Sequence, residues 1–351
     1  MINCSEDVLS FHNDEVNLPQ PERTSMRDRR NANRKRTKNG LEDQGKPSPT
    51  EFCTQGSYAM KTMVQHPEND YDIDDGIYFE KTELVGPRGA AMSSLDARQM
   101  VRDAVDDGSF KTKPVVLANC VRVQYDAGYR VDIPVYRRVV KKGVFGEDET
   151  FYELASSDWK RSDARDVTAW FEGENKKSPD EENGRQFRRI CRLLKKFSQS
   201  RPSWGTCMAS GFMITKLASE CYVPDASRED SVLRNTMRSI RNRLNLNLVV
   251  QHPVTPNDTI TKGAEDPKPK ALRDRLSDAI KWLEPTLDNS CTRAEALKCW
   301  DKVFNTTYFS DLEKSTDEGG SGGNALSGGL VKSFGETSQN AVRKGGGGTY
   351  A

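Results

Sequence analysis

The chain has 351 residues, 53 basic and 52 acidic, for a formal net charge of +1, so no global field advertises a nucleic-acid partner. Hydrophobic content is only 35% against 30% charged residues, but the apolar side chains gather in residues 115–136, 187–197 and 204–223, enough for a core in one large or two ordinary domains. Eight cysteines without a Cys-x-x-Cys pair and three scattered histidines give no zinc signature, and with no signal-peptide pattern or membrane-length apolar run the protein is expected to be soluble and cytoplasmic, its thiols reduced.

Residues 1–20 are polar and weakly patterned and read as an N-terminal extension. The next stretch carries Arg23, Arg27, Arg29, Arg30, Arg34, Lys35, Arg36 and Lys38. A solvated basic helix face is the plain reading of such a run, and a patch facing phosphate or nucleic acid the sharper one. Then comes Thr54-Gln55-Gly56-Ser57-Tyr58, followed fifteen residues after Ser57 by Asp72-Ile73-Asp74-Asp75-Gly76. Strand side chains alternate, so Asp72 and Asp74 are expected on one face. Two carboxylates side by side suit a pair of Mg²⁺ ions on a triphosphate, and Gly56 and Ser57 suit a turn that approaches phosphate oxygens. Taken singly, each motif would be an ordinary turn or an acidic surface loop.

Residues 94–105 read as a helix with Leu95, Ala97, Met100, Val101, Ala104 and Val105 inward, closed by Gly108. Residues 120–125 and 129–135 alternate about Asp126-Ala127-Gly128, a hairpin that sets Val131, Ile133 and Val135 on one face and Asp132 on the other. Asp132 is either a solvated strand residue or a third carboxylate that helps deprotonate the attacking hydroxyl. From residue 158 the period lengthens towards 3.6: Phe187, Ile190, Cys191, Leu194 and Phe197 make one stripe, with Arg185, Arg188, Arg189, Arg192, Lys195 and Lys196 on other faces. Further helices are expected at 210–222, 229–245, 270–284 and 292–304. Residues 313–351 are glycine-rich, ending in four glycines and Thr349-Tyr350-Ala351, and read as a flexible tail.

The three motifs Gln55-Gly56-Ser57, Asp72-Ile73-Asp74-Asp75-Gly76 and Asp132-Ile133-Pro134-Val135-Tyr136 resemble the bacterial cGAS/DncV-like nucleotidyltransferases of anti-phage (CBASS) systems, and among them the DncV-like dinucleotide cyclases. The resemblance runs in order over roughly residues 15 to 310. It implies an α/β fold: a polymerase-β-type nucleotidyltransferase core with a mixed sheet (21–155, with an N-terminal helix), packed on a C-terminal helical lobe (156–312). It implies a cyclic di- or oligonucleotide made from ATP and GTP or other NTPs with two Mg²⁺ (or Mn²⁺) ions; a monomer is expected and, from the charge balance and the apolar runs, neither a nucleic-acid nor a membrane partner. Asp72, Asp74 and Asp132 would be the catalytic and metal-holding residues, and Gln55, Gly56 and Ser57 would bind nucleotide. By the same resemblance Lys195 and Ser210 would reach the phosphates from the helical lobe; their plain readings are a solvated lysine and a helix cap. Met60 departs from the pattern, standing where cGAMP-forming members place an aromatic residue near the base. The tail would let a ubiquitin-activating-type partner conjugate Ala351. A template-independent RNA nucleotidyltransferase is the rival of the same fold.

Overall fold

The computed structural model describes residues 1–66, 71–86, 89–143, 146–255 and 257–318. The elements run α1 (Ser5–Phe11), α2 (Gln20–Asp43), β1 (Glu51–Gln55), α3 (Gly56–Ala59), β2 (Tyr71–Glu80), α4 (Ser94–Val105), β3 (Val115–Val116), β4 (Val121–Gln124), β5 (Tyr129–Ile133), β6 (Val135–Lys142), β7 (Asp148–Ala155) and β8 (Trp159–Arg161). Then come α5 (Ala164–Lys176), α6 (Gln186–Gln199), α7 (Gly211–Cys221), α8 (Glu229–Leu246), α9 (Pro267–Trp282), α10 (Arg293–Phe304) and α11 (Tyr308–Glu318). The fold is α/β: a mixed eight-stranded sheet followed by a helical half.

Strand β2 is the spine. One edge pairs in parallel with β5 (Tyr71 beside Tyr129) and then with β6 (Ile77 beside Val135), an unchanged offset, so β5 and β6 act as one long strand interrupted at Pro134. Proline has no N–H to give, but its carbonyl accepts from Ile77 N at 2.9 Å and carries the ladder across the break. The other edge of β2 pairs antiparallel with β1. One face of the sheet, with Ile73, Ile77, Phe79, Val131 and Ile133, is covered by α2 and α4. Asp75 also points there, and Arg34 of α2 meets its carboxylate through Nε at 2.7 Å while Thr54 Oγ1 donates at 3.0 Å. The opposite face carries Asp72, Asp74 and Tyr78 and opens towards the helical half.

Helix α4 begins and ends as its pattern predicts, with Ser93 Oγ capping Asp96 N. Two expectations are corrected. Residues 1–18 are not a loose extension: Cys4, Val8, Phe11 and Val16 are buried in the core of the helical half, and Cys4 N and Ser5 Oγ both donate to buried Asp230. Nor does the tail begin at 313, because α11 continues to Glu318. The remaining tail residues, 319–351, lie outside the described residues.

Candidate active site

The turn between β1 and β2 sets the geometry. Gln55 lies beside Asp74 in the ladder, and the chain then turns sharply at Gly56, whose φ is +63°. A Cβ on Gly56 would sit 2.2 Å from Asp74 Oδ2, so glycine is required both by backbone conformation and by closeness to the carboxylate. Ser57 follows in the one-turn α3. Asp72 and Asp74 share a face, as the alternation of β2 demands, and Asp74 lies directly beside Asp132 of β5. Burial first, and then the carboxylates of Asp72 and Asp132, hold the Asp74 carboxyl well above the usual range, with Arg122 pulling the other way.

The helical half supplies the opposite wall. A cleft of about 290 Å³ is lined by Gln55, Gly56, Ser57, Asp72 and Asp74 on the sheet side and by Lys195 and Ser210 on the helical side. Ala164 and Val167 of α5 and Phe212 of α7 complete its apolar wall. Lys195 is buried, not solvated; its Nζ donates to Thr62 Oγ1 at 2.8 Å and to Thr62 O at 3.2 Å. Burial, reinforced by Arg192, pulls its ammonium down to about 8. Ser210 is the N-cap of α7, accepting from Met213 N at 3.2 Å, and lines the cleft from that position.

Three sequence-level expectations meet a different geometry. Gln55 borders the cleft but is only 2% exposed, and its carboxamide is spent on two buried tyrosines, Tyr78 and Tyr136. Asp132 is 1% exposed and does not line the cleft; Arg122 Nε and one terminal nitrogen each donate to its carboxylate at 2.7 Å. The plain reading of Lys195 as a solvated lysine fails too, and its basic neighbours on α6 turn the same way: Arg188 donates to Met60 O at 3.0 Å, Arg192 to Lys61 O at 2.8 Å and Lys196 to Gln65 O at 3.4 Å. With Lys195 on Thr62, these cations gather the carbonyls of the connector between the Gly56 turn and β2. Met60 is buried and lines the cleft, while the Tyr58 hydroxyl donates to Arg23 O on the far side of that connector.

The arginine run of α2 is largely turned inward. Arg23 holds Asn17, Arg29 lies over the Tyr129 ring at 3.9 Å, Arg30 donates to Thr54 and Arg34 holds Asp75. Arg122 was missed at the sequence level, although the hairpin encodes it. Tyr125 bonded to Tyr129 across the turn sets Arg122 opposite Asp132.

Among the described residues no three His, Cys, Asp or Glu side chains converge as a ready metal cage. What the cleft offers is a hard-oxygen pair, Asp72 and Asp74, whose mutual repulsion a divalent cation would relieve, and that donor chemistry fits Mg²⁺.

Residues 50–136 match the family model for the nucleotidyltransferase domain of cyclic GMP-AMP synthase DncV-like proteins. Among solved structures, Vibrio cholerae DncV cyclic AMP-GMP synthase, in complex with the linear intermediate 5′ pppA(3′,5′)pG, is 17% identical with a TM-score of 0.67, over 86% of this chain and 96% of that one. Escherichia coli DncV in its 3′-deoxy GTP bound form is 16% identical with a TM-score of 0.65, over 85% and 94%. The Bradyrhizobium diazoefficiens CD-NTase CdnG in complex with GTP is 16% identical with a TM-score of 0.63, over 88% and 97%. At these identities the structural likeness is one of fold.

Proposed function

We propose, from the premise that this chain is a DncV-like nucleotidyltransferase, that it joins two purine nucleoside triphosphates into a cyclic dinucleotide, releasing pyrophosphate, as a signal in anti-phage defence. The observation that carries the reading is the meeting of the Gly56-Ser57 turn, the Asp72–Asp74 pair, Lys195 and Ser210 around one cleft. The V. cholerae relative's linear adenine–guanine intermediate favours 3′,3′-cGAMP as the product.

On this reading the Gly56 amide and Ser57 hydroxyl hold the terminal phosphates, and Lys195 moves its ammonium from Thr62 towards the triphosphate, closing the helical side. Ser210 adds a hydroxyl from the start of α7. Asp72 and Asp74 hold divalent cations, Mg²⁺ or Mn²⁺. Bound there, such ions neutralise the triphosphate and acidify the attacking ribose hydroxyl. Asp132 serves as third carboxylate by exchanging Arg122 for that task. The apolar wall of Met60, Val167 and Phe212 offers the bases a dry surface, with Met60 packing against a ring rather than stacking on it. Ala351, outside the described residues, is the point at which a ubiquitin-activating-type partner would conjugate the chain; deleting residues 349–351 would abolish conjugation and leave basal activity intact.

The test is incubation of purified protein with each pairing of labelled NTPs and Mg²⁺ or Mn²⁺, followed by mass spectrometry of phosphatase-resistant products. A cyclic species containing a purine is expected. No such species under any metal condition would overturn the reading.

A further inference from the structure

The side chain of Gln55 crosses β2 at the one residue that leaves it room. A Cβ on Gly76 would lie 2.0 Å from Gln55 Nε2 and 3.0 Å from the Tyr136 ring. Both ends of the carboxamide are used: Tyr136 Oη donates to Oε1 at 3.1 Å, and Nε2 donates to Tyr78 Oη at 3.1 Å. The two rings stack 4.6 Å apart and 8° from parallel, so neither hydroxyl is free to swing. Burial raises both phenols above their ordinary range, which keeps the protons on the donors.

The chain of bonds does not end there. Tyr78 Oη donates to Asp163 Oδ1 at 3.1 Å, and Asp163 caps α5 by accepting from Arg165 N at 3.0 Å. The Arg165 guanidinium covers the Tyr78 and Tyr152 rings at 4.4 and 4.0 Å and binds Glu51 at the start of β1 at 2.7 Å. Helix α5 in turn brings Ala164 and Val167 to the cleft wall. One continuous line of donors and acceptors therefore runs from the phosphate-side turn, across β2 and β6, to the first helix of the helical half.

We propose that Gln55 is a positioning residue for nucleotidyl transfer and not a nucleotide ligand: clamped between Tyr136 and Tyr78, it fixes the Gly56-Ser57 turn over Asp74 and ties that turn through Asp163 to α5. The inference rests on the function proposed above. Its physical content is that the turn and the cleft wall keep one relative placement, so that phosphate and attacking hydroxyl meet in line. Displacing reacting groups by about an ångström costs about 10²-fold in rate even when binding is kept.

Two variants test it. Gln55→Met keeps length and volume and removes both polar atoms, while Tyr78→Phe keeps the ring stack and cuts only the link from Gln55 to Asp163. Turnover per folded molecule, ATP affinity with Ca²⁺ in place of Mg²⁺, and amide hydrogen exchange of residues 55–60 are measured for both. Both variants are expected to lose turnover by about 10²-fold, to keep ATP affinity within about threefold, and to exchange faster at residues 55–60 while β2 stays protected. A tenfold weaker ATP affinity with turnover kept would make Gln55 a nucleotide ligand and overturn the proposal. Unchanged turnover and exchange in Tyr78→Phe would reduce the clamp to ordinary packing and also overturn it; should Gln55→Met not fold, Tyr78→Phe decides. The exchange arm needs no catalysis, so a wild-type protein that consumes no NTP would refute the proposed function while the clamp is still judged on residues 55–60.

Discussion

Replacing Gly56 by alanine tests how closely the turn must approach Asp74. At φ +63° a residue with a Cβ pays a conformational penalty of about 1 kcal/mol relative to glycine. The new methyl would also lie 2.2 Å from Asp74 Oδ2, against about 3.4 Å for ordinary contact, so the carboxylate or the turn must shift by about 1.2 Å (3.4 − 2.2). Gly45 is the natural control: its φ is +59°, but nothing lies within 4 Å of its Cβ position. Gly45→Ala should therefore lose about 1 kcal/mol of stability and no activity, whereas Gly56→Ala should lose 1 kcal/mol or somewhat more and also about 10²-fold in turnover. Urea denaturation and pyrophosphate release, run on both proteins, separate the two effects. Turnover in Gly56→Ala within about threefold of wild type would refute the argument that the turn and Asp74 must stay in register.

Asp74→Asn and Asp72→Asn should each abolish NTP consumption while the fold persists, and Asp74→Asn should be more stable than wild type without metal at neutral pH. The folded Asp74 pKa is raised, so the native state binds more protons and wild-type stability falls as pH climbs from the ordinary carboxylate range through the folded value; urea titrations across pH should show that fall in wild type and not in the variant. Lys195 shows the opposite slope: with its ammonium pulled from 10.5 to about 8, the unfolded chain binds more protons between those values, and stability should rise with pH there by up to about 3 kcal/mol, a slope absent from Lys195→Met in the same titration. Arg34→Met should cost about 3 kcal/mol by urea denaturation, because Asp75 stays buried without its guanidinium; Arg27→Met, which breaks an ion pair with exposed Asp28, should cost less than about 1 kcal/mol.

Local patterns were the legible part of this molecule. Period-two alternation correctly set Asp72 and Asp74 on one face, the Ser94-to-Val105 pattern gave α4, and the 120–135 run gave the hairpin that carries Asp132. Partners across long separations were not legible. Nothing near Lys195 in sequence says that its ammonium will meet Thr62, 133 residues earlier, and a cation that finds backbone carbonyls instead of solvent has no local signature. The resembled Gln-Gly-Ser motif assigns Gln55 to nucleotide; that its amide faces tyrosines follows only from the pairing of β1 with β2 and of β2 with β6. The buried N-terminal segment did carry a faint signal, since Cys4, Val8 and Phe11 recur at helical spacing, but its polar neighbours outweighed it.

That N-terminal segment has a consequence for how the protein is made. Phe11 packs against Phe304 and Phe309, Asp7 accepts from Arg293 at 2.8 Å and the Tyr308 hydroxyl donates to Asp14 at 2.5 Å. Asp7 and Asp14 thus meet these partners only once residues nearly 300 positions later have been made, roughly 15 to 60 s after them at ordinary synthesis rates. The sheet can assemble early, from strands close in sequence. Helix α8 offers Cys4 and Ser5 an earlier seat at Asp230, but Phe11 gains its ring partners only with α10 and α11, so the helical half closes last, around a segment made well before it.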